Sequence, residues 1–179
     1  MEDHPEDLVQ HAEELLRERK LGEGARCLEE AAGLRGDGRN KAGLFRKAAH
    51  VYGEVRATED AGRCYRNAAR LLESEERAAC LLEYWKLLIL EIAGCLYDCG
   101  FEWRGDVSGG HDADHRYYQE TIEKHKREAE DVLAEALKVD GVNREALLRE
   151  AKEECKERAE DGWGASQCQD IIKTVLERL

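Results

Sequence analysis

From Leu8 to Leu179, apolar residues recur three or four positions apart along almost the whole chain, and the single proline, Pro5, stands ahead of that pattern. This spacing gathers apolar side chains on one face of an α-helix. A proline there suits a first helical turn, where its missing N–H has no partner to lose. β-Branched residues are too few for an all-β fold. With 42% hydrophobic and 38% charged residues, a chain of 179 residues can bury a core, which excludes general disorder. No apolar run reaches the roughly 18 residues a membrane helix needs, so no membrane insertion is expected. The acidic start, MEDHPEDLVQ, lacks the layout of a signal peptide.

The periodicity predicts about eight helices. The first opens near His4, carries Leu8, Val9, Ala12, Leu15 and Leu16, and is broken by Gly22. The second carries Leu28, Ala31 and Ala32, followed by a loop of Gly33, Gly36, Asp37 and Gly38. Asn40, Thr58 and Ser74 are the expected caps of the third, fourth and fifth helices. The fifth, roughly 75 to 99, is apolar from Ala78 to Tyr97 except for Glu83, Lys86 and Glu91 on one narrow stripe. Such a helix must be covered on most sides, so it is expected as the central core helix or as half of a homodimer interface through 76–99. Cys99 to Asp114, with Gly100, Gly105, Gly109 and Gly110, reads as an irregular stretch. Helix six, about 112 to 138, places Tyr118, Ile122, His125, Ala129, Val132 and Ala136 inward. Helix seven carries Leu147, Leu148, Ala151 and Cys155, Gly162-Trp163-Gly164 interrupts, and Ser166 with Gln169 has capping-box spacing for the last helix.

The first four helices repeat. Gly24-Ala25-Arg26-Cys27-Leu28 lies over Ala61-Gly62-Arg63-Cys64-Tyr65, and Ala31-Ala32 over Ala68-Ala69, at an offset of 37. One helix earlier, Val9, Ala12, Leu15 and Leu16 lie over Phe45, Ala48, Val51 and Tyr52 at an offset of 36. Alanines let paired helices approach closely while a Leu or an aromatic fills the groove between them. The pattern Ala61-x-x-x-Tyr65-x-x-Ala68 resembles tetratricopeptide-type repeats, and in particular the longer hairpins of soluble attachment proteins that serve vesicle-fusion ATPases. The resemblance covers about residues 5 to 98. It lacks that family's closing proline and its first-helix Trp and Leu-Gly, and a third copy places Trp85 where a small residue belongs. It implies a protein-binding scaffold and transfers no functional residue, because such repeats bind through variable surfaces.

A formal net charge of -12 argues against nucleic acid as a partner. The row Arg63, Arg66 and Arg70 reads as a solvated helix face. The seven cysteines lie within helical patterns rather than turn-rich loops, so small core hydrophobes and a reducing cytoplasm are expected rather than a disulfide framework.

One constellation has metal-ligand spacing: Cys95-x-x-x-Cys99, then the Gly-rich stretch, then His111-x-x-x-His115. Two thiolates and two imidazoles brought together across a hairpin would make a closed, structural zinc site, with Asp98, Asp112 and Asp114 as outer partners. Equally, these are two core cysteines and two solvated histidines. Phe101 and Trp103 are either interaction anchors or plugs over the helix ends. His125 lies on an apolar face, where a satisfied core histidine is the plainer reading. No Walker loop, HExxH, GxSxG or Glu-x-x-His occurs.

The expectation is an all-α chain of stacked antiparallel hairpins, tetratricopeptide-like. Residues 1–75 form two hairpin repeats. Residues 76–179 supply the long core helix, the Gly-rich loop and a C-terminal helical cap within one continuous domain. The leading functional expectation is a non-enzymatic scaffold that binds another protein or a peptide, a basic one by charge. The alternatives are a structural zinc protein and an enzyme with a helical pocket around His125 or Trp103.

Overall fold

The computed structural model describes residues 4–102, 111–160 and 165–179. Among these residues are eight helices and no strand: α1 (Pro5–Arg17), α2 (Leu21–Leu34), α3 (Gly38–Glu54), α4 (Thr58–Ala69), α5 (Ser74–Glu102), α6 (His111–Lys138), α7 (Arg144–Glu160) and α8 (Ala165–Arg178). The chain is all-α, as its periodicity requires. None of the described helices is long and apolar enough to cross a membrane. The chain forms two compact units, Met1–Tyr84 with Val139–Gly141, and Trp85–Lys138 with Val142–Leu179, and α5 runs through the boundary.

In the first unit α1 packs on α2, α2 on α3, and α3 on α4, the order of stacked antiparallel hairpins. The seams are alanine: Ala12, Ala25, Ala31, Ala32, Ala42, Ala48, Ala49, Ala61 and Ala68 are wholly buried. Both hairpins turn by the same backbone device. Lys20 N donates to Leu15 O (2.9 Å) and Arg19 N to Leu16 O (3.1 Å), while Ala57 N donates to Tyr52 O (2.9 Å) and Arg56 N to Gly53 O (3.0 Å). These paired bonds close a helix C-terminus in the Schellman arrangement. Its left-handed position is occupied by Arg19 (φ 63°) and Arg56 (φ 57°). This stop, rather than Gly22, ends α1.

The two turns lie 37 residues apart, the sequence separation that also spans the Arg39–Glu76 and Arg46–Glu83 ion pairs. The offset of 36 expected between the first and third helices is therefore one residue short. At 37, buried Ala12 lies over buried Ala49 and buried Leu15 over buried Tyr52. Ala48 and Ala49 are both wholly buried, so a pattern of apolar letters does not distinguish the two registers.

Helix starts also differ from expectation. Asp37, not Asn40, caps α3, accepting from Arg39 N at 3.0 Å. Thr58 is the first residue of α4, after Ala57, and makes no capping bond. The stretch from Cys99 to Asp114 is shorter than expected: α5 continues to Glu102 and α6 opens at His111. Asn143, not singled out from the sequence, caps α7 by accepting from Ala146 N at 3.0 Å.

Within its apolar run α5 buries Cys80, Leu81, Leu82, Tyr84, Leu88, Ile89 and Ile92. Its stripe of charges is used: Glu83 joins Arg46, Lys86 pairs with Glu150 (2.7 Å), and Glu91 is buried. Leu90 and Tyr97 remain exposed. Trp85, 37 residues after Ala48, is wholly buried and is the first residue of the second unit. In that unit α8 packs on both α6 and α7, and Leu88, Ile89, Ile92, Leu133, Leu137, Ile171 and Val175 are buried. Arg178, at the end of α8, reaches the buried Glu130 at 2.7 Å.

The hairpin seam leaves a specific signature in two glycines. A Cβ on Gly62 would stand 2.6 Å from Tyr84 Cζ, whereas one on Gly43 would meet nothing within 4 Å. Gly43→Ala gains helix propensity alone and is expected to stabilise by about 0.4–1 kcal/mol. Gly62→Ala gains the same but overpacks a rigid ring, for a net loss of about 1–2 kcal/mol. Urea unfolding midpoints at unchanged slope check both, and equal shifts for the two variants would refute the seam as drawn.

Candidate functional site

The zinc constellation is only partly visible. Cys95 is buried in α5. The side chains of Cys99, His111 and His115 lie outside the described residues, as do Phe101, Trp103 and Trp163. Among the described residues no group of three or more His, Cys, Asp or Glu is placed to hold a metal ion. His125 is buried in α6.

What the first unit brings together is two carboxylates, each clamped between helices. Glu29 of α2 accepts two parallel bonds from Arg63 of α4, each 2.9 Å, and a third from the Tyr52 hydroxyl of α3 at 3.1 Å. Arg63 also holds Asp60 at 2.6 Å. Fork-to-fork pairing of this kind is directional as well as strong. The Arg63 bonds hold the Glu29 carboxyl below its usual range, against the opposing effect of burial. The arginine row expected as a solvated face is thus partly engaged. Arg66, next in that row, lies over the Tyr84 ring at 5.2 Å.

The second clamp centres on Glu83 of α5. Arg46 of α3 donates to it through both guanidinium arms, Nε at 3.1 Å, and His50 Nε2 lies 3.6 Å from Oε2. The other His50 nitrogen, Nδ1, faces the Tyr65 hydroxyl at 3.4 Å, and Tyr65 stacks on Tyr84 with centroids 5.6 Å apart. Burial pushes the Glu83 carboxyl up, but bonds from His50 and Arg46 outweigh it and leave the group lowered. Bonding to Glu83 raises the His50 imidazole. A His–carboxylate pair is one half of a catalytic relay, and the other half is a nucleophile. The neighbouring thiols, Cys64 and Cys80, are pushed up to about 12 by burial and so stay protonated at neutral pH. The arrangement supplies cohesion between helices and an exposed, partly basic α3 face of Arg39, Gly43, Lys47 and His50.

In the second unit, α7 and α8 enclose a groove of about 510 Å³. Its floor is Cys155, Ile172 and Leu176, and its rim holds Lys152, Lys156 and Lys173 with Gln169 and Glu177. The two walls are covalently joined, because Cys155 of α7 is bonded to Cys168 of α8 with Cα atoms 5.6 Å apart. The expectation that most of the cysteines are small core hydrophobes did not foresee this bond. Cys27, Cys64 and Cys80 are free thiols. No single helix carries the signal for the bond, since the partners lie on different helices and each reads as an apolar-face residue. The two clamps were also missed: Arg46 and Glu83 stand at the repeat offset of 37 residues, whereas Arg63 and Glu29 are 34 residues apart.

Comparison with known protein families, curated proteins and solved structures finds no match for this chain.

The clamps set the pH response. His50, raised, contributes stability that is complete below its unfolded value near 6.5 and is lost as pH rises through the folded value. Glu29 and Glu83, lowered, contribute above about 4.5 and lose it as pH falls through their folded values. Because His50 is largely exposed, its share is a few tenths of a kcal/mol after solvent screening. His50→Gln should flatten the decline above neutrality and also reduce the acid limb, since Glu83 loses one of the partners that keep it lowered, while Glu29→Gln should weaken the fold by about 1–2 kcal/mol near pH 7. Unfolding curves recorded from pH 4 to 9 decide this.

The disulfide spans a sequence separation of 13. Loop-closure entropy for a ring of that size corresponds to about 2–3 kcal/mol. Reductant should lower the unfolding free energy by that amount. Thiol titration of unfolded, unreduced protein should return two fewer groups than the seven cysteines.

Proposed function

We propose that this chain is a non-enzymatic protein–protein interaction scaffold of helical-repeat type, with tetratricopeptide-like hairpins in its first unit. One observation carries the reading: the paired turn bonds and the buried seam residues recur at a separation of 37 residues. Recurrence of that kind marks stacked units whose faces are built to be extended or covered. The exposed α3 face, with its Arg39, Lys47 and His50, is the candidate partner surface of that unit. Its buried thiols and its fully engaged carboxylates support cohesion and recognition rather than turnover.

Affinity capture from the cells that make the protein tests this reading. A stoichiometric partner should be retained by the wild type and by Arg26→Glu, an exposed control on α2, and lost with Arg39→Glu/Lys47→Glu. Absence of any specific partner, or equal retention by both variants, would overturn it.

A further inference from the structure

The α7–α8 groove is a local reversal of the protein's charge. The whole chain carries -12, yet the groove rim holds three lysines against one glutamate. On α8 the lining residues Gln169, Ile172, Lys173, Leu176 and Glu177 form one stripe at three- and four-residue spacing. Its buried neighbours Cys168, Ile171 and Val175 form the inward stripe. Leu176, which also lines the groove, is 45% exposed. The lysines are weakly engaged. Lys156 meets Glu153 on its own helix at 2.6 Å, and Lys173 meets Glu177 at 4.0 Å. Exposed pairs within one helix contribute only a few tenths of a kcal/mol and exchange readily. The Cys155–Cys168 bond ties the two walls together and so forms the groove before any ligand arrives.

We infer that this groove docks an acidic amphipathic helix of a partner protein, its apolar edge against Ile172 and Leu176 and its carboxylates against Lys152, Lys156 and Lys173. An apolar floor between two helices accepts a third through anchors at three- and four-residue spacing. The lysine rim selects for acidic flanks. The overall net charge of -12 disfavours an acidic helix, so its binding depends on the local lysines of this groove. The inference rests on the scaffold reading and adds a second partner surface with a stated chemistry.

The test uses the full, oxidised chain and two labelled peptides of about 18 residues, long enough to form a helix. Both carry Leu at three- and four-residue spacing, and one has Glu flanks where the other has Lys. Fluorescence anisotropy should show the Glu peptide binding at least about tenfold tighter. The rim variant Lys152→Glu/Lys156→Glu/Lys173→Glu should invert that preference, and Leu176→Glu should abolish binding of both. Circular dichroism and thermal midpoints verify that each variant is folded. Because the rim lysines are exposed, the triple variant keeps the test decisive even if Leu176→Glu does not fold. Equal affinities, or a preference unmoved by charge reversal, overturn the inference. So does binding of a long-chain fatty acid anion with no binding of the Glu peptide, or a wild-type dimer that Leu176→Glu dissociates. Failure here beside a partner captured through the α3 face would remove the groove and leave the scaffold reading standing.

Discussion

Close approach of helix backbones through alanine and glycine is the constraint on which the first unit depends. Wholly buried alanines line its seams, and at Gly62 no side chain fits beneath the Tyr84 ring. Small residues bring the axes near, and only then do longer side chains reach across to the next helix. The Glu29 and Glu83 clamps follow from that spacing. Each ties two or three helices through groups whose desolvation is offset by paired donors. The offset of 37 runs out at Trp85, an indole where the wholly buried Ala48 stands one repeat earlier, and Trp85 begins the second unit.

Charge is distributed by use. Acidic groups predominate overall, but those at the seams are neutralised one by one, and the arginines on α3 and α4 are drawn inward to do so. Lysine, a compact and strongly hydrated charge, stays at the rim of the α7–α8 groove. The division places firm, directional pairing between the helices and exchangeable charge at the surface.

Much of the fold was legible in the residues. The three- and four-residue spacing located all eight helices, and Gly24 to Ala32 laid over Ala61 to Ala69 gave the true offset of 37. Where the reading slipped, a local signal was degenerate or silent. Ala48 beside Ala49 allows two registers. Asp37 and Asn40 are both good caps, and only the backbone bond from Arg39 chooses between them. Arg19 and Arg56 hold left-handed positions that composition would assign to glycine, so the turns left no glycine to find.

The sequence by itself determined helix content, helix number and the existence of a repeat, because periodicity and small-residue spacing are properties of neighbours along one chain. Tertiary structure alone decided the Cys155–Cys168 bond, the two carboxylate clamps and the lysine-rimmed groove. Each joins residues of different helices, and a helix's own pattern says which face is apolar but not which helix covers it. That choice is made by packing, through contacts whose partners are distant in the chain.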